Sequence, residues 1–198
     1  PTRRSSDLLF LGGTIMTSTK DLLYYIPAGQ YGKEGVLALL EQHPEIKFVS
    51  LVGIDLAGND TDEKIPMAAF FDDYEAFFEG RAVQTDGSSV VLTNIATLNN
   101  ARVDMWGDPS VNWFVDYNYE NIDEATGLPT GTLRIPAFLM HNYRYVDSRS
   151  ILKNSCDYVR AELLSLIKEH GLPGMPHVKA DDVVDIIFTS ATELEFWV

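Results

Sequence analysis

The stretch IKFVSLVGIDLAGNDTDEKIP, residues 46–66, decides the fold. Its first part, 46–55, is rich in β-branched and aromatic residues and is apolar at both alternating positions. That pattern predicts a strand covered on both faces, an inner strand of a sheet. Ala57-Gly58-Asn59-Asp60 is a cluster of turn formers, and a second extended run over 62–66 ends at Pro66. A hairpin follows, with its first strand inside a sheet.

Outward from the hairpin, Val36, Leu37, Leu39 and Leu40 give 33–43 the spacing of a short amphipathic helix that Pro44 ends. Phe70, Phe71, Tyr74, Phe77 and Phe78 lie on one stripe of a predicted helix over 67–79, closed by Gly80. Such a stripe could line a ligand pocket, but it is read here as a core face packed on the sheet. Thr85-Asp86-Gly87-Ser88-Ser89 is a polar turn, by itself an Asp-Gly hairpin turn. With no apolar residue in it, it suits a projecting tip. Further extended runs are expected at 101–106, 111–119 and 132–140, the second alternating from Val111 to Tyr119. Asp147 or Ser148 caps a helix reaching His170, with Ile151, Leu152, Val159, Leu163 and Ile167 on one face and Gly171 and Pro173 beyond it.

The last stretch, Ile186 to Val198, opens with β-branched and aromatic residues and then alternates, which predicts another strand. On it Glu193 and Glu195 share one face, about 6.6 Å apart. By itself an exposed Glu-x-Glu is a solvated face. As ligands, two carboxylates at that spacing suit two separate hard cations better than one.

With 15 basic and 29 acidic residues the 198-residue chain carries a net charge of −14, which argues against nucleic acid or an anionic membrane as partner. Its hydrophobic content, 45%, is ample for a core. The lone cysteine, Cys156, permits no internal disulfide, suits a reducing cytoplasm and reads, on an apolar helix face, as a small core residue rather than a nucleophile. His43, His141, His170 and His177 show no metal-binding spacing and read as surface or structural. No run is long enough to span a membrane, and Leu8–Leu11 after Arg3 and Arg4 makes no convincing signal peptide. Residues 1–15 begin without Met and resemble translated adapter sequence, so they are excluded from the fold, with Met16 as the expected start.

Four stretches in order resemble the glutamine synthetase family: the hairpin 46–66, TDGSSV (85–90), VDSRSILKNSCDYVRAEL (146–163) and FTSATELEFWV (188–198). The resemblance implies an α+β fold: a β-grasp-like, mostly antiparallel sheet with a packed helix over 46–145. It is preceded by an extension with a short helix (16–45) and followed by the start of a catalytic domain (146–198). Because the family's catalytic domain continues past this strand, the chain is expected to be an amino-terminal fragment, inactive alone. The implied activity of the parent is an ATP-dependent ligase that phosphorylates glutamate and lets ammonia displace the phosphate, giving glutamine. Glu193 and Glu195 then hold Mg²⁺ or Mn²⁺ ions, ATP is the co-substrate, and Asp86 reaches a neighbouring subunit's site in a ring-shaped homo-oligomer to bind ammonium and take its proton.

One departure matters. Where the family places a second acid for ammonium, this chain has Arg102 or Asn100, with Asp104 two positions further on. A cation there favours a γ-glutamyl–amine ligase of the same family as the alternative. A family member reused as a non-catalytic binding or structural protein is the third reading.

Overall fold

The computed structural model describes residues 22–191 together with Glu193 and Glu195; the expectations for residues 1–15 and Met16 lie outside them. The chain forms β1 (Tyr25–Ile26), α1 (Lys33–Glu41), β2 (Ile46–Ile54), β3 (Asp60–Pro66) and α2 (Met67–Asp72). It continues through β4 (Val83–Asp86), β5 (Arg102–Gly107), β6 (Trp113–Ile122), β7 (Pro129–His141), β8 (Arg144–Tyr145) and α3 (Ser148–His170). The fold is α+β with a mostly antiparallel sheet, as the resemblance implies.

The sheet is built around β7, whose length lets two sets of strands share it. Its first part pairs antiparallel with β6 and parallel with β2, and β2 in turn pairs antiparallel with β3. The order β1-β6-β7-β2-β3 makes β2 an inner strand, which is why its apolar residues occupy both faces. The second part of β7 pairs with β5, which carries β4, and its last residues fold back on β8. Val49, Leu51, Leu133, Ile135, Val103, Met105 and Leu139 are fully buried at its centre. Ile26, Val36 and Leu40 belong to the same core, so β1 and α1 close it from the amino-terminal side.

The single helix expected over 67–79 is two pieces: α2 and a 3₁₀ turn at Glu75–Phe77. Asp73 interrupts it, leaving helical geometry (φ −140°, ψ 66°) while its carboxylate accepts the Ala76 N–H at 3.3 Å. A short acceptor side chain offers the backbone a partner that the helix ladder would otherwise supply. The aromatic stripe survives the break. Phe70 and Phe77 are buried, their rings 5.0 Å apart and edge to face, and Phe78 stacks on Trp113 at 5.3 Å. Gly80 then turns the chain with φ +67°, where a side chain would also strike the Trp106 indole.

Among the described residues, α3 is docked to the sheet by its first residues. Asp147, fully buried, accepts from Ser150 N and Ser150 Oγ at 2.8 Å each and from Leu139 N at 3.0 Å. Ser148 donates to the Ile54 carbonyl at 3.2 Å. Arg149 pairs with Asp108 at 2.6 Å and lies 4.7 Å over the Phe138 ring. Asp147, Ser148 and Arg149 thus clamp the helix start to the sheet, and Ser150 closes the cap on Asp147. Beyond it the apolar face is left open: Leu152 is 66% exposed and Val159 41%. The strand expected from Ile186 is absent from the described residues. Positions 183–190 have no regular structure and no strand beside them, so the alternation has no ladder to join.

Candidate functional site

Asp86 ends β4, and its Cα partner on β5 is Arg102. Along β5 the residues alternate: Val103 and Met105 are fully buried, while Arg102, Asp104 and Trp106 look outward. Asp86, Arg102 and Asp104 therefore share the outer face of this part of the sheet. The Arg102 guanidinium turns to Asp104, with Nε 3.0 Å from Oδ1, rather than to Asp86.

The Asp86 carboxylate is exposed and accepts the Ser88 N–H at 2.7 Å. Hydrogen bonds from Ser88, first its side chain and then its backbone, hold this carboxyl below the usual range. At neutral pH it is an anion and a weak base, better suited to holding a cation than to removing a proton from one.

The turn is not the two-residue hairpin its Asp-Gly suggests. Gly87–Ser89 form a 3₁₀ turn, and residues 87–101 make the whole connection from β4 to β5. Gly87 accepts the close approach of the Leu98 carbonyl that any Cβ would block, and its N–H donates to the Ala101 carbonyl at 2.7 Å. Nor is the turn free of anchors. Val90 and Leu92 are buried in the core. Buried Asp55 receives the Val91 N–H at 3.0 Å as well as Ala57 and Asn59 N–H groups at 2.9 Å each. Burial pushes the Asp55 carboxyl up, but these bonds and one from the Asn59 side chain outweigh it and hold the carboxyl below its ordinary value. Asp55 thereby ties the β2–β3 turn to the Asp86 turn. The sequence carried a signal for it, an Asp opening a Gly-Asn turn.

Glu193 and Glu195 lie far along the chain from this face, exposed and without regular structure. Their oxygen donors suit hard divalent ions, yet among the described residues no three His, Cys, Asp or Glu side chains converge as a metal site. The structure does not bring Asp86 together with either glutamate within these residues. Two of the histidines take structural parts: His43 Nδ1 lies 2.9 Å from buried Glu45, and His141 Nδ1 2.8 Å from the Arg102 carbonyl. No helix among the described residues is long and apolar enough to cross a membrane.

No protein-family model and no curated protein matches this sequence. Among solved structures the chain is similar to Plasmodium falciparum glutamine synthetase, with 14% identity and a TM-score of 0.46 over 69% of this chain and 24% of that one. It is also similar to GmaS in complex with ADP, with 15% identity and a TM-score of 0.33 over 56% of this chain and 21% of that one. The chain thus spans no more than 24% of the length of either protein.

Proposed function

We propose that this chain serves an ATP-dependent carbon–nitrogen ligase of the glutamine synthetase kind, which activates a carboxylate as its acyl phosphate and transfers it to a nitrogen nucleophile. The observation that carries the reading is the Asp86 turn: an exposed carboxylate, kept ionised by its own turn and held in place from a second hairpin by Asp55. A fixed surface anion of this kind is suited to receiving an ammonium or amine on a face that a second copy of the chain would close. Glu193 and Glu195 each contribute a ligand to a different divalent cation, whose chemistry is to neutralise charge on the transferring phosphoryl group. The substrates in this reading are glutamate, ATP and ammonium, in a cytoplasmic ring of identical subunits.

Arg102 favours the second reading, an amine in place of ammonia, because a cation opposite Asp86 replaces an anion that would hold a small cation. The test is nucleophile-dependent release of ADP by the protein carrying this chain, with glutamate and either ammonium or methylamine. Asp86→Ala abolishes release, and Asp86→Ala mixed with Glu193→Gln restores part of it once subunits exchange. Full activity of Asp86→Ala overturns the reading.

A further inference from the structure

On the same outer face, one strand over from Asp86, a cavity of about 320 Å³ opens between β5 and the tip of the β7–β8 hairpin. Trp106 and Met140 give it an apolar surface, and Arg102 and Asp104 set opposite charges side by side in its wall. The two charges form an ion pair of imperfect geometry. Asp104 Oδ1 is buried and accepts no hydrogen bond, although Arg102 Nε lies 3.0 Å away, because the N–H points off line. The second contact, Arg102 to Asp104 Oδ2, is long at 3.4 Å. A buried carboxylate oxygen without a donor is costly, and a guanidinium with five N–H groups has several left to give. The Arg102 side chain is 67% exposed, free to turn them into the cavity.

The far wall is held in a strained state. Asn142 and Tyr143 form the two-residue tip, with φ +48° and +61°, and Asn100 across the cavity has φ +56°. Three of the four non-glycine residues with positive φ among the described residues therefore line this one cavity. Tyrosine is rarely found there, and this one is 92% exposed, so core packing does not compensate the strain. Strained backbone of this kind concentrates at ligand sites. His141 fixes the tip to β5: its Nδ1–H donates to the Arg102 carbonyl, and its Nε2 accepts from the Asn142 amide at 2.9 Å.

We propose that this cavity binds a small zwitterion of the α-amino-acid type, with its ammonium on Asp104, its carboxylate on Arg102 and an apolar side chain over Trp106 and Met140. Such a ligand places its ammonium on the accessible part of the Asp104 carboxylate and gives the Arg102 guanidinium an acceptor, and it does so without leaving net charge in the site. The proposal shares Arg102 and this face with the ligase reading, but it is tested by binding to the chain alone, so failure of one is distinguishable from failure of the other.

The test is an NMR titration of the 198-residue chain with L-leucine, leucinamide and 4-methylpentanoate, following the Trp106 indole N–H and the Asn142 side-chain amide. L-leucine is expected to shift both signals and saturate, and the two half-charged analogues to bind about tenfold more weakly. Arg102→Gln should erase the preference over leucinamide, and Asp104→Asn the preference over 4-methylpentanoate. Tyr143→Ala, at a solvent-exposed tip, should weaken binding while leaving the melting temperature unchanged. Equal affinity for all three compounds, or no shift of either signal at tens of millimolar L-leucine, overturns the proposal. Both results are read from binding alone, without any ligase assay.

Discussion

The sheet and the long helix that leaves it are both marked by clear apolar periodicity, and they meet opposite fates. In the sheet the marked residues are buried: Val49, Leu133 and Ile135 are at 0% exposure. On α3 the stripe stays open, with Leu152 at 66%. Periodicity states which side of an element prefers to leave water; it does not supply the surface that covers it. β2 finds β3 and β7 on its two edges and helical aromatics on one face, whereas α3 is held at its amino-terminal end and beyond that touches chiefly the segment after it.

The largest test of this contrast is truncation on each side. Phe70→Ala should cost about 3–5 kcal/mol in chemical denaturation, since it empties the centre of an aromatic cluster. Leu152→Ala should change stability by no more than about 0.5 kcal/mol. Comparable losses at the two positions would mean that α3 is covered in solution.

The seam between the regions comes next. Asp147→Ala removes a helix cap and strands the buried Leu139 N–H, so a loss of about 2–4 kcal/mol is expected, with reduced helix signal in circular dichroism. If only the helix signal falls and the sheet melts as before, the two regions unfold separately.

Acid should distinguish the regions more gently. The Asp55 carboxyl is lowered in the folded state from 3.8. Its contribution is therefore complete above that value and is lost as pH falls through the lower folded one. The Asp108 carboxyl behaves alike: burial raises it, but Ser110 and Arg149 outweigh burial and hold it low. Asp55→Asn should flatten the fall in melting temperature below about pH 4. An unchanged acid limb would remove Asp55 from the account of why the Asp86 turn is rigid.

The smallest effect is expected at Arg160, which pairs with Asp185 at 2.7 Å on the surface of α3. Arg160→Ala should leave the melting temperature nearly unchanged while speeding hydrogen exchange of the Ile186 N–H. That N–H donates to Asp185 at 2.7 Å, so it reports whether 183–190 stays against the helix.

Several features were legible from residues alone for physical reasons that act within a few positions. The hairpin 46–66, the Asp147 cap and the turn at Gly80 follow from strand alternation, a capping carboxylate and glycine's tolerance of positive φ. Where the reading went astray, a local signal met a distant condition. Asp73 breaks the aromatic helix through a bond to Ala76, while the strand written into 186–191 finds no partner edge among the described residues. The Asp86 turn looked unanchored because its anchors, Asp55 and the buried Val90 and Leu92, lie outside the motif.

By itself the sequence determined the inner position of β2 and the polar character of 85–89, since each depends on spacing and residue type along the chain, while the fold class came from the family resemblance of its four stretches. Only the tertiary structure decided that Asp86 faces Arg102, that Arg102 turns to Asp104, and that Asn100, Asn142 and Tyr143 enclose one cavity. Those relations are set by which strands pair and in what register. A shift of one residue along β5 would turn Arg102 and Asp104 to the opposite face.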